Sequence, residues 1–192
     1  MILYMDIESF NNYANRLGTV LRDTDWKIIA ELTESLLLCW ENGQQVFICG
    51  NGGSAANAIH LANDFIYGVA KEKGKGLKAI ALSANSAVLT CLANDLGYDA
   101  VFSEQLAVQG YEGDVLIVLS GSGNSPNVIA AIKQAKVMGV KSFAILGFTG
   151  GECKRLVDVP IHFPVEDMQI AEDIQLVVGH MLMQYLYVNR LT

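Results

Sequence analysis

The sequence predicts an α/β fold: a doubly wound five-stranded parallel sheet with extra helices at the N- and C-terminal ends. From residue 44 onward, strand-like and helix-like stretches alternate. The strands are apolar at nearly every position rather than at every second one, the pattern of strands covered on both faces. Only three prolines occur and no linker interrupts the 192 residues, so residues 1–192 read as a single domain.

Residues 6–16 and 24–42 read as two amphipathic helices, the second with a stripe of Leu32, Leu36, Leu37 and Trp40. QQVFICG (44–50) is the first strand, and a glycine turn leads to a helix from Ser54 to Tyr67. KAIALS (78–83) is the second strand, with helical stretches at 86–95 and 99–110 behind it. DVLIVLS (114–120) is the third strand, followed by a helix at 126–138. KSFAILG (141–147) and VDVPIHF (157–163) complete the sheet, and a last helix runs over 167–189. The long apolar faces of the terminal helices suit packing between subunits or against the core.

Hydrophobic residues make up 52% of the chain and charged residues 17%, enough apolar mass for a large core and incompatible with a disordered chain. Apolar runs such as Val115 to Leu119 and Phe143 to Gly147 fall far short of the ~18 residues that span a bilayer. The opening MILYMDIESF lacks the basic and apolar regions of a signal peptide, so a cytoplasmic location is expected. The net charge of −7 argues against nucleic acid as a partner. Lys71, Lys73, Lys75 and Lys78 are spaced by glycines and read as a solvated loop. The four cysteines (Cys39, Cys49, Cys91 and Cys153) show no C-x-x-C spacing. Cys49 and Cys91 lie in apolar stretches and are expected to be buried thiols in a reducing compartment.

Two glycine-serine loops, each directly after a strand and before a helix, carry the chemistry. The first is Gly50-Asn51-Gly52-Gly53-Ser54 and the second Ser120-Gly121-Ser122-Gly123-Asn124-Ser125-Pro126. Glycines let the backbone approach a ligand. Serine hydroxyls and free N–H groups at a helix start donate to an anion. Pro126 suits the first turn of its helix. Donors of this kind without a lysine suit a phosphate monoester. In strand order 2-1-3-4-5 the two loops face each other at the switch point of the sheet. Gly50, Gly52 and Ala55 also satisfy G-x-G-x-x-A, but ALSANS (81–86) holds no acid for a ribose, which argues against a nicotinamide site. Neither a Walker A loop nor a G-x-S-x-G elbow occurs.

Of the three histidines, His162 lies in the last strand and reads as structural. His60 and Asp64 share a helix face at i and i+4. His180 follows Asp173 by seven residues on one face, and Glu172 by eight, a drift of about 80°. Two histidines and two carboxylates would make a tetrahedral zinc site; a solvated His60 and a core His180 are the alternative.

CGNGGSAANAIH (49–60), CLANDLGYDAVFS (91–103), SGSGNSPNVIAAI (120–132) and AEDIQLVVGHML (171–182) together resemble the phosphoheptose isomerase family of the SIS (sugar isomerase) fold. The resemblance covers nearly the whole chain in order. It implies a flavodoxin-like sheet and a homotetramer with active sites between subunits. It implies an aldose–ketose isomerase acting on a phosphorylated sugar, most simply sedoheptulose 7-phosphate. The substrate-binding positions it implies are Asn51, Gly52, Gly53, Asn94, Asp95, Ser120, Gly121, Ser122 and Ser125. Ser54, Asp64 and Glu172 are expected to join them. The implied metal, usually zinc, would fall on His60, Asp64, Glu172 and His180, and the implied base and acid are Asp64 and His180. Position 64 is usually Glu and is Asp here; position 172 is usually Gln and is Glu here. Tyr67, Gly68 and Val69 stand where the family often has an arginine. Two other readings of such a domain are a non-catalytic protein that binds a sugar phosphate or assembles with a replication initiator, and a sugar-phosphate sensor. His180 favours the enzyme over the first, and the lack of a DNA-binding segment weighs against the second.

Overall fold

The computed structural model describes residues 7–71 and 74–189. Asp6, the expected start of the first helix, and Lys73 of the lysine loop lie outside the described residues. Five strands, β1 (Gln45–Cys49), β2 (Lys78–Ala81), β3 (Val115–Ser120), β4 (Lys141–Leu146) and β5 (Val159–His162), form one sheet in the order β2-β1-β3-β4-β5. Every pairing is parallel. The assumed 2-1-3-4-5 order is therefore present, and all six residues of the central β3 are buried, which is why its sequence is continuously apolar.

Alternation along the strands splits the core into two layers. Val46 and Ile48 point into the layer built by α2 (Ala30–Glu41), α3 (Gly53–Asn63) and α8 (Met168–Asn189), with Leu32, Leu36, Leu61, Ile174 and Val178. Phe47 and Cys49 point into the other, with Leu106 of α5 (Ser103–Gln109), Val128 and Ile132 of α6 (Pro126–Met138) and Cys153 of α7 (Cys153–Leu156). Leu89 and Leu92 of α4 (Ser86–Asp95) pack at the edge of that second layer.

The first helix, α1 (Ile7–Asp23), has no fully buried residue. It is tied by polar contacts to α8 and to the residue just before it: Tyr13 Oη donates to Asp173 Oδ2 at 2.5 Å and Arg16 Nη1 to Asp167 Oδ2 at 2.7 Å. Burial, and then the bond to Asp173, push the Tyr13 phenol up to about 12.

Three expected elements differ. The first helix was expected to stop at 16 but runs through Gly18 to Asp23, because one helical glycine costs only ~1 kcal/mol. The break falls at Asp25, whose carboxylate accepts from Lys27 N at 3.1 Å and starts a 3-10 turn (Trp26–Ile29) ahead of α2. The stretch expected at 99–110 is a 3-10 turn (Tyr98–Ala100) followed by α5. Cys91, expected to be buried, is exposed, because α4 buries no residue fully and turns Leu89 and Leu92 inward. Cys39, Cys49 and Cys153 are buried. Burial raises all three thiols, Cys39 to about 12 and Cys153 to about 11. Among the described residues no helix is long and apolar enough to cross a membrane.

Candidate active site

The backbone ladder between β1 and β3 ends at Cys49 and Val118, which delivers both glycine-serine loops to one edge of the sheet. They touch at their roots: a Cβ built on Gly50 would lie 2.8 Å from the Leu119 carbonyl oxygen. Gly52 caps α3 at φ 56° and ψ −122°, a conformation that a residue with a side chain resists. Beyond the roots, Asn51 Nδ2 donates to Asn127 Oδ1 at 2.8 Å, and Asn127 Nδ2 donates back to Asn51 Oδ1 at 2.9 Å. Tyr98 Oη also donates to Asn51 Oδ1, at 2.9 Å. Asn94 and Asp95 are exposed at the end of α4, four and three residues before Tyr98.

The second loop shapes itself with its own hydroxyls. Ser120 Oγ accepts from Gly123 N at 3.0 Å, and Ser122 Oγ from Asn124 N at 3.3 Å. Ser120 and Gly121 are buried, while Ser122 and Ser125 are half-buried. Ser125 caps α6, with Pro126 in its first turn. A third segment, after β4, braces this loop: Gly147 N donates to Gly121 O, Cys153 N to Gly123 O and Glu152 N to Asn124 Oδ1. Phe148 in that segment is held at φ 43°. Its N–H donates to Val165 O, and its carbonyl lies 2.9 Å from His162 Nε2. Lys154 Nζ stands 3.0 Å from the other ring nitrogen of His162, which thus has the structural place expected of it.

Ser54, expected among the phosphate donors, is buried, and its Oγ accepts from Gln175 Nε2 at 3.0 Å. Asn57 Nδ2 in turn donates to Gln175 Oε1 and to the Glu172 carbonyl, so Ser54 belongs to a buried polar seam between α3 and α8. Glu172 carries its carboxylate against Gly53, where an added Cβ would meet Oε2 at 2.3 Å. It therefore stands beside the first loop.

His60 and Asp64 come together with His180 where α3 crosses α8. Gly179 permits the approach, since a Cβ there would lie 2.0 Å from Leu61 Cδ2. Asp64 opens a π-helical turn (Asp64–Gly68) in which Val69 N reaches Asp64 O at 2.9 Å. Such turns recur at functional positions. The Nε2 atoms of His60 and His180 are 2.9 Å apart, and Asp64 Oδ2 lies 3.4 Å from the first and 3.6 Å from the second. The imidazoles meet edge to face. Ligands at 2.0–2.1 Å from a tetrahedral zinc ion are about 3.3 Å from one another, and the three separations straddle that value. These three residues fit a metal ion, and all their ligand atoms lie within 4.8 Å of one another. Glu172, expected as the fourth ligand, falls outside this group.

The histidine cluster, the two loops and the carboxylate beside them could hold a phosphate ester, move protons on it and bind a cation. Asn127, Tyr98 and the 147–153 segment were not foreseen as parts of the site, although Asn127 lies inside the SGSGNSPNV motif itself.

The SIS domain family model matches residues 9–147. The chain is 38% identical over 164 residues to the phosphoheptose isomerase of Clostridium acetobutylicum, covering 85% of this chain and 83% of that one. It is 42% identical over 142 residues to the phosphoheptose isomerase of Helicobacter pylori, covering 74% and 73%. Among solved structures, the phosphoheptose isomerase of Neisseria gonorrhoeae superposes with a TM-score of 0.86 at 30% identity, covering 94% of this chain and 96% of that one. That of Francisella tularensis gives 0.90 at 25% identity, covering 96% and 100%.

Proposed function

The chain belongs to the phosphoheptose isomerase family of SIS-domain proteins, and on that premise we propose that it interconverts sedoheptulose 7-phosphate and D-glycero-D-manno-heptose 7-phosphate through an enediol. The observation that carries the chemistry is the convergence of Asp64 with His60 and His180 at the α3–α8 crossing.

The serine loop, with Ser120, Gly121, Ser122 and Ser125, holds the phosphate by neutral donors at the start of α6. Asn51, Gly52, Gly53, Asn94, Asp95 and Glu172 line the sugar. Binding energy from the remote phosphate positions C1 and C2. Asp64, or Glu172 beside the first loop, takes a proton from C1 of the ketose. The electron pair forms the C1–C2 double bond, and the C2 oxygen gains a proton from His180. In the second half O1 gives its proton to His180, which restores it, the C1 carbonyl forms and C2 receives the proton held by the carboxylate. His60, Asp64 and His180 would hold a zinc ion, which when bound would supply, as a Lewis acid, the polarisation of the carbonyl that the His180 proton supplies without it.

The same reading takes the protein as a cytoplasmic homotetramer. Ile59, Tyr67, Met181 and Tyr185 are exposed around the histidine cluster, and an apolar surface of that kind is suited to a second copy.

Asp64→Asn and His180→Ala test the roles directly. Each should lower turnover by about 10²–10⁴-fold while binding of the phosphate ester, followed by calorimetry, persists. Turnover retained in both variants would refute the assignment.

A further inference from the structure

We infer that Asn127 and Tyr98 are positioning residues that set the spacing between the phosphate loop and the segments that hold the sugar. The inference rests on the reading of the two loops as a sugar-phosphate site. The sheet fixes that spacing only as far as Cys49 and Val118, where the β1–β3 ladder ends. Past it, side chains must do so.

Asn51 is the hub. Its Oδ1 accepts from both Asn127 Nδ2 and Tyr98 Oη, and one Nδ2 hydrogen goes to Asn127 Oδ1. Three of the four bonding capacities of the amide are thereby engaged within the protein, leaving a single N–H for a ligand. Asn127 is 1% exposed, and its Oδ1 also accepts from Val128 N at 3.0 Å, which fixes the orientation of its amide. It lies in the first turn of α6, so it moves with the serine loop. Tyr98 lies just past Asn94 and Asp95 and moves with them. One network thus cross-braces the three segments that contribute substrate positions. Apart from the Val128 N–H in the first turn of α6, its bonds run between segments and none lies in the sheet, so its loss displaces loops and leaves the sheet intact.

The test compares wild type, Asn127→Leu and Tyr98→Phe. It measures kcat and KM for sedoheptulose 7-phosphate, and Kd for that ester and for inorganic phosphate. Inorganic phosphate engages the serine loop alone, so its Kd should stay within about twofold in both variants. A displacement of ~1 Å costs ~100-fold in rate, and kcat/KM should fall by about that factor in Asn127→Leu. Loss of one hydrogen bond in Tyr98→Phe should cost about fivefold. Kinetics within twofold of wild type in the folded variants would overturn the inference. So would loss of inorganic phosphate binding in parallel with turnover. If Asn127→Leu does not fold, Tyr98→Phe, which removes one exposed hydroxyl, decides alone. If wild type does not turn over the ester, the isomerase reading fails by itself. Positioning is then read from the ratio of the ester Kd to the phosphate Kd, which must rise in the variants.

Discussion

Gly53→Ala separates stability from chemistry at the first loop. Gly53 is the first residue of α3, where alanine is the better helix former by up to about 1 kcal/mol. The added Cβ would lie 2.3 Å from Glu172 Oε2 and 2.5 Å from its Cδ and Oε1, against an ordinary contact of 3.4–4 Å. The carboxylate must retreat by roughly 1 Å, and a misplacement of that size costs ~100-fold in rate. Because the obstructing atoms are the end of a flexible, half-buried side chain, the fold yields there easily. Thermal unfolding should be unchanged or raised by about 2–4 °C, while kcat/KM for sedoheptulose 7-phosphate falls about 100-fold. In a Glu172→Ala background the same substitution should add no further loss, since the displaced group is gone. Full activity in Gly53→Ala, or an equal loss without Glu172, would refute the reasoning.

Zinc at 100 times its Kd should stabilise the wild type by about 2.7 kcal/mol, read as a rise in Tm; His60→Ala should show no such rise, and an equal one would contradict the three-residue site. Gln175→Leu takes away the donor to Ser54 Oγ and leaves Asn57 Nδ2 with only the Glu172 carbonyl in the seam between α3 and α8. It should cost about 1–3 kcal/mol in denaturant unfolding, and an unchanged midpoint would show the seam to be idle. The Asp167 carboxyl is held below its ordinary range, chiefly by the Ile170 N–H at the start of α8 and also by Arg16. A lowered folded pKa gives stability that is present above the unfolded value of about 3.9 and lost as pH falls through the folded one. Asp167→Asn should therefore lower Tm at neutral pH and flatten its decline below about pH 4; parallel Tm–pH curves for the two proteins would count against it.

Much of the fold was legible because the strands are buried on both faces and each is followed by a helix. The strand order had to be assumed, and the pairing of Val46 to Cys49 with Val115 to Val118 supplies it. The boundary between the first two helices was not legible, since a single glycine at 18 does not stop a helix and an Asx cap at Asp25 starts a 3-10 turn. In the site, His60, Asp64 and His180 were readable from helical spacing plus resemblance. The buried partner of Ser54 was not legible, because a serine at a helix start looks the same whether or not its oxygen also accepts from a buried glutamine 121 residues away. Separations of 76 and 47 residues from Asn51 likewise hid Asn127 and Tyr98, whose roles exist only once three segments meet at Asn51.

The most direct test of the central claim is to incubate the purified protein with sedoheptulose 7-phosphate in D₂O and follow the sugar by NMR. The expected product is an aldose heptose 7-phosphate carrying deuterium at C2, delivered by a carboxylate that exchanges with solvent. Absence of the aldose would contradict the isomerase assignment. An aldose without deuterium at C2 would contradict the solvent-exchanging carboxylate.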